Sequence, residues 1–402
     1  MTRPAGGIPR YRSWDGPAVL SAGFRPFFLL AGLWAAVAML LWLAVLYGHA
    51  TLPTAFDPVT WHGHEMLFGF AQAAIAGFLL TAIPNWTGRM PIQGWGLGAL
   101  ALLFVAGRFA VACSIELGPT IAMAIDLAFP LTLLVVLARE IVAGRNWRNL
   151  PMLAVLGLIA TANGLTHLEA LGWAATGPVG LRLGIAVVIA LIGLVGGRII
   201  PSFTRNWLAK RGVTALPAPA GRVDAAAMAA TIAALAVWTF APDAWLVAPL
   251  MAVAAVANLV RLARWQGYRT AAEPLVWVLH VGFLWLPIGF GLMAFASFTA
   301  ALAPSAALHA LTGGAIATMI LAVSTRATRG HTGRELRADG RTALIYGLAI
   351  ASATARIAAG FFVDAYWPLL ALAGTAWLAA FALFLLAYGP MLLGSRAAAA
   401  PG

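Results

Sequence analysis

The chain has 402 residues, of which 62% are hydrophobic and only 9% charged, with a mean hydropathy of +0.89. Soluble domains carry about 25% charged residues, so this composition excludes a soluble globular protein and fixes an all-α integral membrane class. The formal net charge is +12, and all but one of the 25 basic residues are arginine. These charges sit in short loops between apolar runs, with no basic domain to carry nucleic-acid binding. They set topology and meet the anionic headgroups of the lipid bilayer. The single cysteine, Cys113, excludes an intrachain disulfide framework and a cysteine-ligated zinc or iron–sulfur cage.

A membrane span needs about 20 apolar residues. That rule predicts a bundle of twelve transmembrane helices, at 24–47, 62–83, 94–114, 119–138, 151–171, 180–200, 225–241, 244–262, 274–297, 304–325, 342–363 and 367–390. Arg3, Arg10 and Arg12 precede the first span. Its apolar stretch exceeds the roughly 7–15 residues of a signal-peptide core, so it reads as a retained helix. Arginines then collect in alternate loops, whereas Asp57, Glu116, Glu169, Asp243 and Asp364 mark the intervening ones. The positive-inside rule places both termini in the cytoplasm, and an even span count agrees. The whole chain reads as one polytopic membrane domain, with a cytoplasmic linker at 201–224 that contains Leu216-Pro-Ala-Pro-Ala-Gly221.

Spans 2, 6 and 10 end on related polar stretches: Ile83-Pro-Asn-Trp-Thr-Gly-Arg89, Ile200-Pro-Ser-Phe-Thr-Arg205 and Val323-Ser-Thr-Arg-Ala-Thr-Arg329. Read as exit turns, their Pro84, Pro201 and Ser324 lie 117 and then 123 residues apart. A three-by-four helix pseudo-repeat would give that spacing.

The polar residues at the mouth of span 2, Trp61-His62-Gly63-His64-Glu65-Met66, carry the first functional signal. Neutral imidazole is the commonest side-chain metal ligand. Under the predicted topology His62, His64, His167 and His309 share one outer level, and His280 lies several residues inside span 9. Imidazoles converging from separate helices are what a haem iron or a copper ion requires. All five are therefore candidate metal ligands, with Glu65 as an acceptor that orients an imidazole. His62 and His64 do not share a helical face, which requires an irregular turn or two different jobs. Arg108, Arg182 and Arg356 lie in the same outer half, with Asp126 inside span 4. Two readings of them stand side by side: Arg–Asp pairing within the bundle, or arginines that hold haem propionates. Trp61, Trp86, Trp147 and Trp173 read as interface anchors.

Several long motifs occur in order: Gly23-Phe-Arg-Pro-Phe-Phe-Leu-Leu30, Trp61-His-Gly-His-Glu-Met-Leu-Phe-Gly-Phe70, Gly77-Phe-Leu-Leu-Thr-Ala-Ile-Pro-Asn-Trp-Thr-Gly88, Gly197-Arg-Ile-Ile-Pro-Ser-Phe-Thr-Arg-Asn-Trp207, His309-Ala-Leu-Thr-Gly-Gly-Ala-Ile-Ala-Thr-Met319 and Thr325-Arg-Ala-Thr-Arg-Gly-His-Thr-Gly-Arg334. Together they resemble the NnrS family of bacterial membrane proteins. The resemblance implies a multi-pass inner-membrane protein containing haem b and copper, linked to nitric oxide metabolism and resistance to nitrosative stress. It is compatible with reduction, oxidation or simple binding of nitric oxide, and turnover would need an electron donor such as quinol. Two other readings fit the same residues: a twelve-helix secondary transporter, and a non-catalytic metal-handling or sensing protein.

Overall fold

The computed structural model describes residues 13–396, so Arg3, Arg10 and Arg12 lie outside the described residues. Among those described, the long elements are all helical. They are α1 (Phe24–Leu46), α2 (Pro58–His64), a π-helix here called π1 (Glu65–Ala71), α3 (Gln72–Thr87), α4 (Trp95–Ala112), α5 (Ser114–Leu117), α6 (Pro119–Ala143) and α7 (Pro151–Ala170). After these come α8 (Gly177–Ala209), α9 (Arg222–Phe240), α10 (Val247–Ala263), α11 (Pro274–Ala296), α12 (Pro304–His309), π2 (Ala310–Ile316), α13 (Ala317–His331), α14 (Gly340–Ala358) and α15 (Tyr366–Leu393).

Helix starts follow local chemistry. Proline opens α2, α6, α7, α11 and α12, where its missing N–H has no intrahelical partner to lose. Asp57 caps α2 by accepting from the backbone N–H groups of Val59 and Thr60, both at 3.0 Å.

Ten helices among the described residues are long and apolar enough to cross a membrane. A helix pairs most of its backbone groups within itself, as the hydrocarbon core demands. Helices also occupy the two remaining predicted spans. One, α10, is apolar but only 17 residues long. The other is α14.

The predicted exit turns are not turns. Pro84, Pro201 and Ser324 lie within α3, α8 and α13. Near Pro84, the Asn85 side chain donates to the Thr81 carbonyl at 2.9 Å and the Thr87 hydroxyl to the Ile83 carbonyl at 3.0 Å. The carbonyl that Pro84 leaves without its helical donor is that of Leu80, and the helix continues past it to Thr87. Because α8 continues to Ala209, the stretch without helix before α9 is shorter than the linker expected at 201–224.

The chain forms two compact units. Among the described residues, the first holds 13–181, His331–Gly333 and 388–396; the second holds Arg182–Gly330 and Arg334–Ala387. In the first, α1 packs on π1 and α3, and α6 packs on α3, α4 and α7. Phe27, Phe104 and Phe129 meet at its core, with ring centroids 5.3–6.4 Å apart. Arg25 closes the unit by donating to the carbonyls of Leu392 and Gly394, at 3.0 and 2.6 Å. In the second unit α11 packs on α10, α12 and π2, and α14 packs on α12 and π2. Buried Arg261 joins its helices, donating to Asp224 and to the Gly193 carbonyl, both at 2.9 Å. Gly197 faces that guanidinium with no room for a Cβ.

The two π-helices are seven residues long, and each follows a histidine, His64 and His309. Each has glycine at its fifth position, with a tryptophan ring from a 23-residue helix lying on it: Trp34 on Gly69 and Trp285 on Gly314. The equivalent residues are 245 apart, rather than the 240 read from Pro84 and Ser324. π-turns are uncommon and concentrate at functional sites.

Because any Cβ at position 69 would overlap the Trp34 ring, Gly69→Val should destabilise the protein by about 1–3 kcal/mol, the usual cost of overpacking. Gly157→Ala, at a helical position with nothing within 4 Å of a new Cβ, should not. Unfolding in detergent compares the two.

Candidate metal centre

The candidate site grows out of the break between α2 and π1. His64 ends α2 and Glu65 begins π1, and both side chains are fully buried. The His64 Nδ1 faces Glu65 Oε1 at 3.0 Å. Glu65 thus meets its chain neighbour rather than His62. The His64 Nε2 faces Asn163 Oδ1 at 2.8 Å and Asp126 Oδ2 at 3.3 Å. The His167 Nε2 faces the same Asp126 oxygen at 3.0 Å. Chain order explains the meeting: Asn163 and His167 stand one turn apart on α7, and Asp126 points at them from α6.

One arginine ties the acids together. Arg108, on α4, donates to both Glu65 oxygens at 2.9 Å and to Asp126 Oδ1. Trp34, on α1, donates its indole N–H to Glu65 Oε2 at 2.6 Å. Aromatic rings wall the site: Phe56 lies 5.0 Å from the His64 ring and 5.1 Å from the His167 ring, and Phe68 lies 5.0 Å from His64. Five segments therefore build one dry polar cluster, which is costly inside a membrane unless its charges are paired or used.

The donors and acceptors do not balance. Asn163 commits its amide N–H to Asp126 Oδ2 at 2.8 Å, so its oxygen faces His64. Both ring nitrogens of His64 then face only acceptors, and a neutral imidazole carries one proton. Two carboxylates against one guanidinium also leave one net negative charge. A second proton on the His64 ring, or a metal cation at its Nε2, satisfies both counts. Nitrogen or oxygen ligand atoms of His64, Asp126 and His167 lie within 4.8 Å of one another, which suits a metal ion. The donor set, two imidazoles and a carboxylate, is one that binds first-row transition metals.

The other predicted residues lie elsewhere. His62 stacks on Trp42, with centroids 4.5 Å apart and planes at 17°; His62 and His64 thus serve different jobs on one regular helix, and the irregular turn begins after His64. Trp61 is 1% exposed, so it is packed inside, whereas Trp86, Trp147 and Trp173 are exposed, as expected of interface anchors. In the second unit, His280 places Nε2 at 2.8 Å from Thr204 Oγ1, and its Nδ1 side is filled by Gly267. That buried Nδ1 has no hydrogen-bond partner among the described residues. His309 donates Nδ1–H to the Ser305 carbonyl at 2.6 Å, and the Nε2 then carries a lone pair for a ligand. Among the arginines, Arg108 is engaged with Glu65 and Asp126, which is the pairing reading. The Arg182 Nε donates to the Thr239 carbonyl at 3.0 Å. Arg356, on α14, has no ion-pair partner among the described residues.

Sequence reasoning missed Asn163 and Trp34, and did not name Asp126 as a ligand. Asn163 had a signal, since it shares a face with His167 at i, i+4 in an apolar span. Trp34 had none, being one aromatic among many.

The family model described as NnrS protein matches residues 18–396, nearly the whole chain. No curated protein matches the chain.

Removing one partner of a buried charge pair costs about 3–5 kcal/mol. Arg108→Met should lose that much stability, and Glu65→Gln added to it should restore part. Denaturation of the two single variants and the double variant in detergent gives the coupling energy; additive losses would show that the guanidinium and Glu65 do not interact.

Proposed function

The chain belongs to the NnrS protein family, and from that premise we propose that it is a haem- and copper-holding membrane protein that acts on nitric oxide. Its setting is the bacterial inner membrane, crossed twelve times with both termini in the cytoplasm. The observation that carries the proposal is the acceptor-only surroundings of the His64 Nε2, beside the His167 Nε2 and Asp126 Oδ2. His64, His167 and Asp126 hold the copper, with Glu65 fixing the His64 ring through Nδ1. The single negative charge left by Glu65, Asp126 and Arg108 favours a monovalent ion, because a neutral whole is cheapest in a low-dielectric interior. Copper in its lower oxidation state fits, and imidazole nitrogen accepts it. In the second unit, His309 holds the haem iron, its Nε2 freed by the bond from Nδ1 to Ser305.

When bound, copper and haem supply one-electron chemistry and affinity for nitric oxide. The chain's own residues do the rest. Phe56 and Phe68 exclude water from the imidazoles. Asn163 holds Asp126 toward both histidines. Arg108 and Trp34 hold Glu65 in place. Nitric oxide is small and nearly apolar, so it reaches buried sites through lipid without a channel. Electrons for turnover come from a membrane donor, with quinol as the chemical class.

His64→Ala and His167→Ala should each lower copper per chain about tenfold or more while haem content holds. His309→Ala should do the reverse. Metal analysis and reduced-minus-oxidised spectra on the same purified samples read both. Full copper and haem in all three variants would remove this assignment.

A further inference from the structure

The two π-helices differ at one chemical position. In the first unit, the residue that opens π1 is Glu65, and Trp34 donates its indole N–H to it at 2.6 Å. In the second unit, the residue that opens π2 is Ala310. Trp285 lies on Gly314 as Trp34 lies on Gly69, but its buried Nε1–H has no hydrogen-bond partner among the described residues. The arginines differ in the same sense. Arg108 reaches Glu65 from the helix that follows the first π-containing span. Arg356 stands near the end of α14, the helix that follows the second, and α14 packs on π2 and on α12, which ends in His309. Arg356 pairs with no carboxylate among the described residues, and α11, α12, π2 and α14 all pack together.

A buried indole N–H and a half-buried guanidinium that no hydrogen bond or ion pair among the described residues receives are the donor half of a site. The first unit shows what the acceptor half looks like, since there a carboxylate takes both an indole N–H and an arginine. We propose that the second unit binds a ligand carboxylate or similar oxyanion through Trp285 Nε1 and Arg356, in the place that the Glu65 side chain fills in the first unit. The ligand supplies the group that Ala310 lacks. Two sources share this chemistry: a propionate of a porphyrin whose iron His309 holds, and a small free oxyanion such as nitrite. The porphyrin source rests on the haem reading above; the free oxyanion does not.

The test uses full-length protein purified from haem-depleted cells, titrated with haem and with haem dimethyl ester, whose propionates are blocked. Wild type should bind free-acid haem about tenfold or more tightly than the ester, as a lost charge-assisted contact implies. Trp285→Phe and Arg356→Gln should each bind the two porphyrins with nearly equal affinity. Arg356→Lys should keep part of the preference, and Gly157→Ala, where a new Cβ meets nothing within 4 Å, all of it. A second titration, with nitrite followed by calorimetry, separates the sources. If no porphyrin binds wild type, the haem reading fails. Nitrite binding that is weakened by Trp285→Phe and Arg356→Gln would then still establish the oxyanion site. A wild type that neither distinguishes the porphyrins nor binds nitrite overturns the proposal, as does any preference that survives in both variants.

Discussion

The arrangement depends on one buried guanidinium. Arg108 donates to Glu65 and Asp126 at once, and so draws π1 and α6 toward α4. Those two carboxylates in turn orient His64 and His167. A charge that deep is stable only with partners, so the helices that supply the partners cannot slide relative to α4 without exposing it to lipid. The second consequence is arithmetic. One cation cannot neutralise two acids, and the site keeps a negative charge until another cation joins it. Structural integrity and cation affinity thus come from the same three side chains.

The π-helices show how one local architecture can serve two chemistries. In both, a wide turn follows a histidine, and a glycine admits a tryptophan ring against the helix. With Glu65 at the first position, the tryptophan N–H is satisfied internally and the surroundings attract a cation. With Ala310 there, the tryptophan N–H and an arginine are left as donors, and the surroundings attract an anion. The residue that opens each π-helix, a carboxylate in one and a methyl in the other, is where the two units differ.

Much of the fold was legible because membrane spans announce themselves by length and hydropathy, and each predicted span holds a helix. The span ends were harder. Pro84 and Pro201 look like helix stops, but α3 runs on to Thr87 and α8 to Ala209. In the site, His64, Glu65, His167 and Arg108 stood out as polar residues in apolar runs. Their pairing did not, because the spans are apolar all round and give no phase. Glu65 illustrates this: as an acceptor for an imidazole it had several histidines to choose from, and it meets its chain neighbour His64. No pattern in the sequence marks the π-turn, since Glu65–Ala71 reads as an ordinary helical stretch. Trp61 misled for the same reason, as a tryptophan at a span mouth is an anchor by position but is packed inside here.

The central claim is that the cluster of His64, Asp126 and His167 is a site for a monovalent copper ion. X-ray absorption at the copper edge of the purified, reduced protein tests it most directly. The expected result is a Cu(I) edge with nitrogen and oxygen neighbours and the outer-shell scattering of two imidazoles, both lost in His64→Ala. Sulfur scatterers, pointing to methionine or to Cys113, would contradict it, as would copper that persists unchanged in that variant.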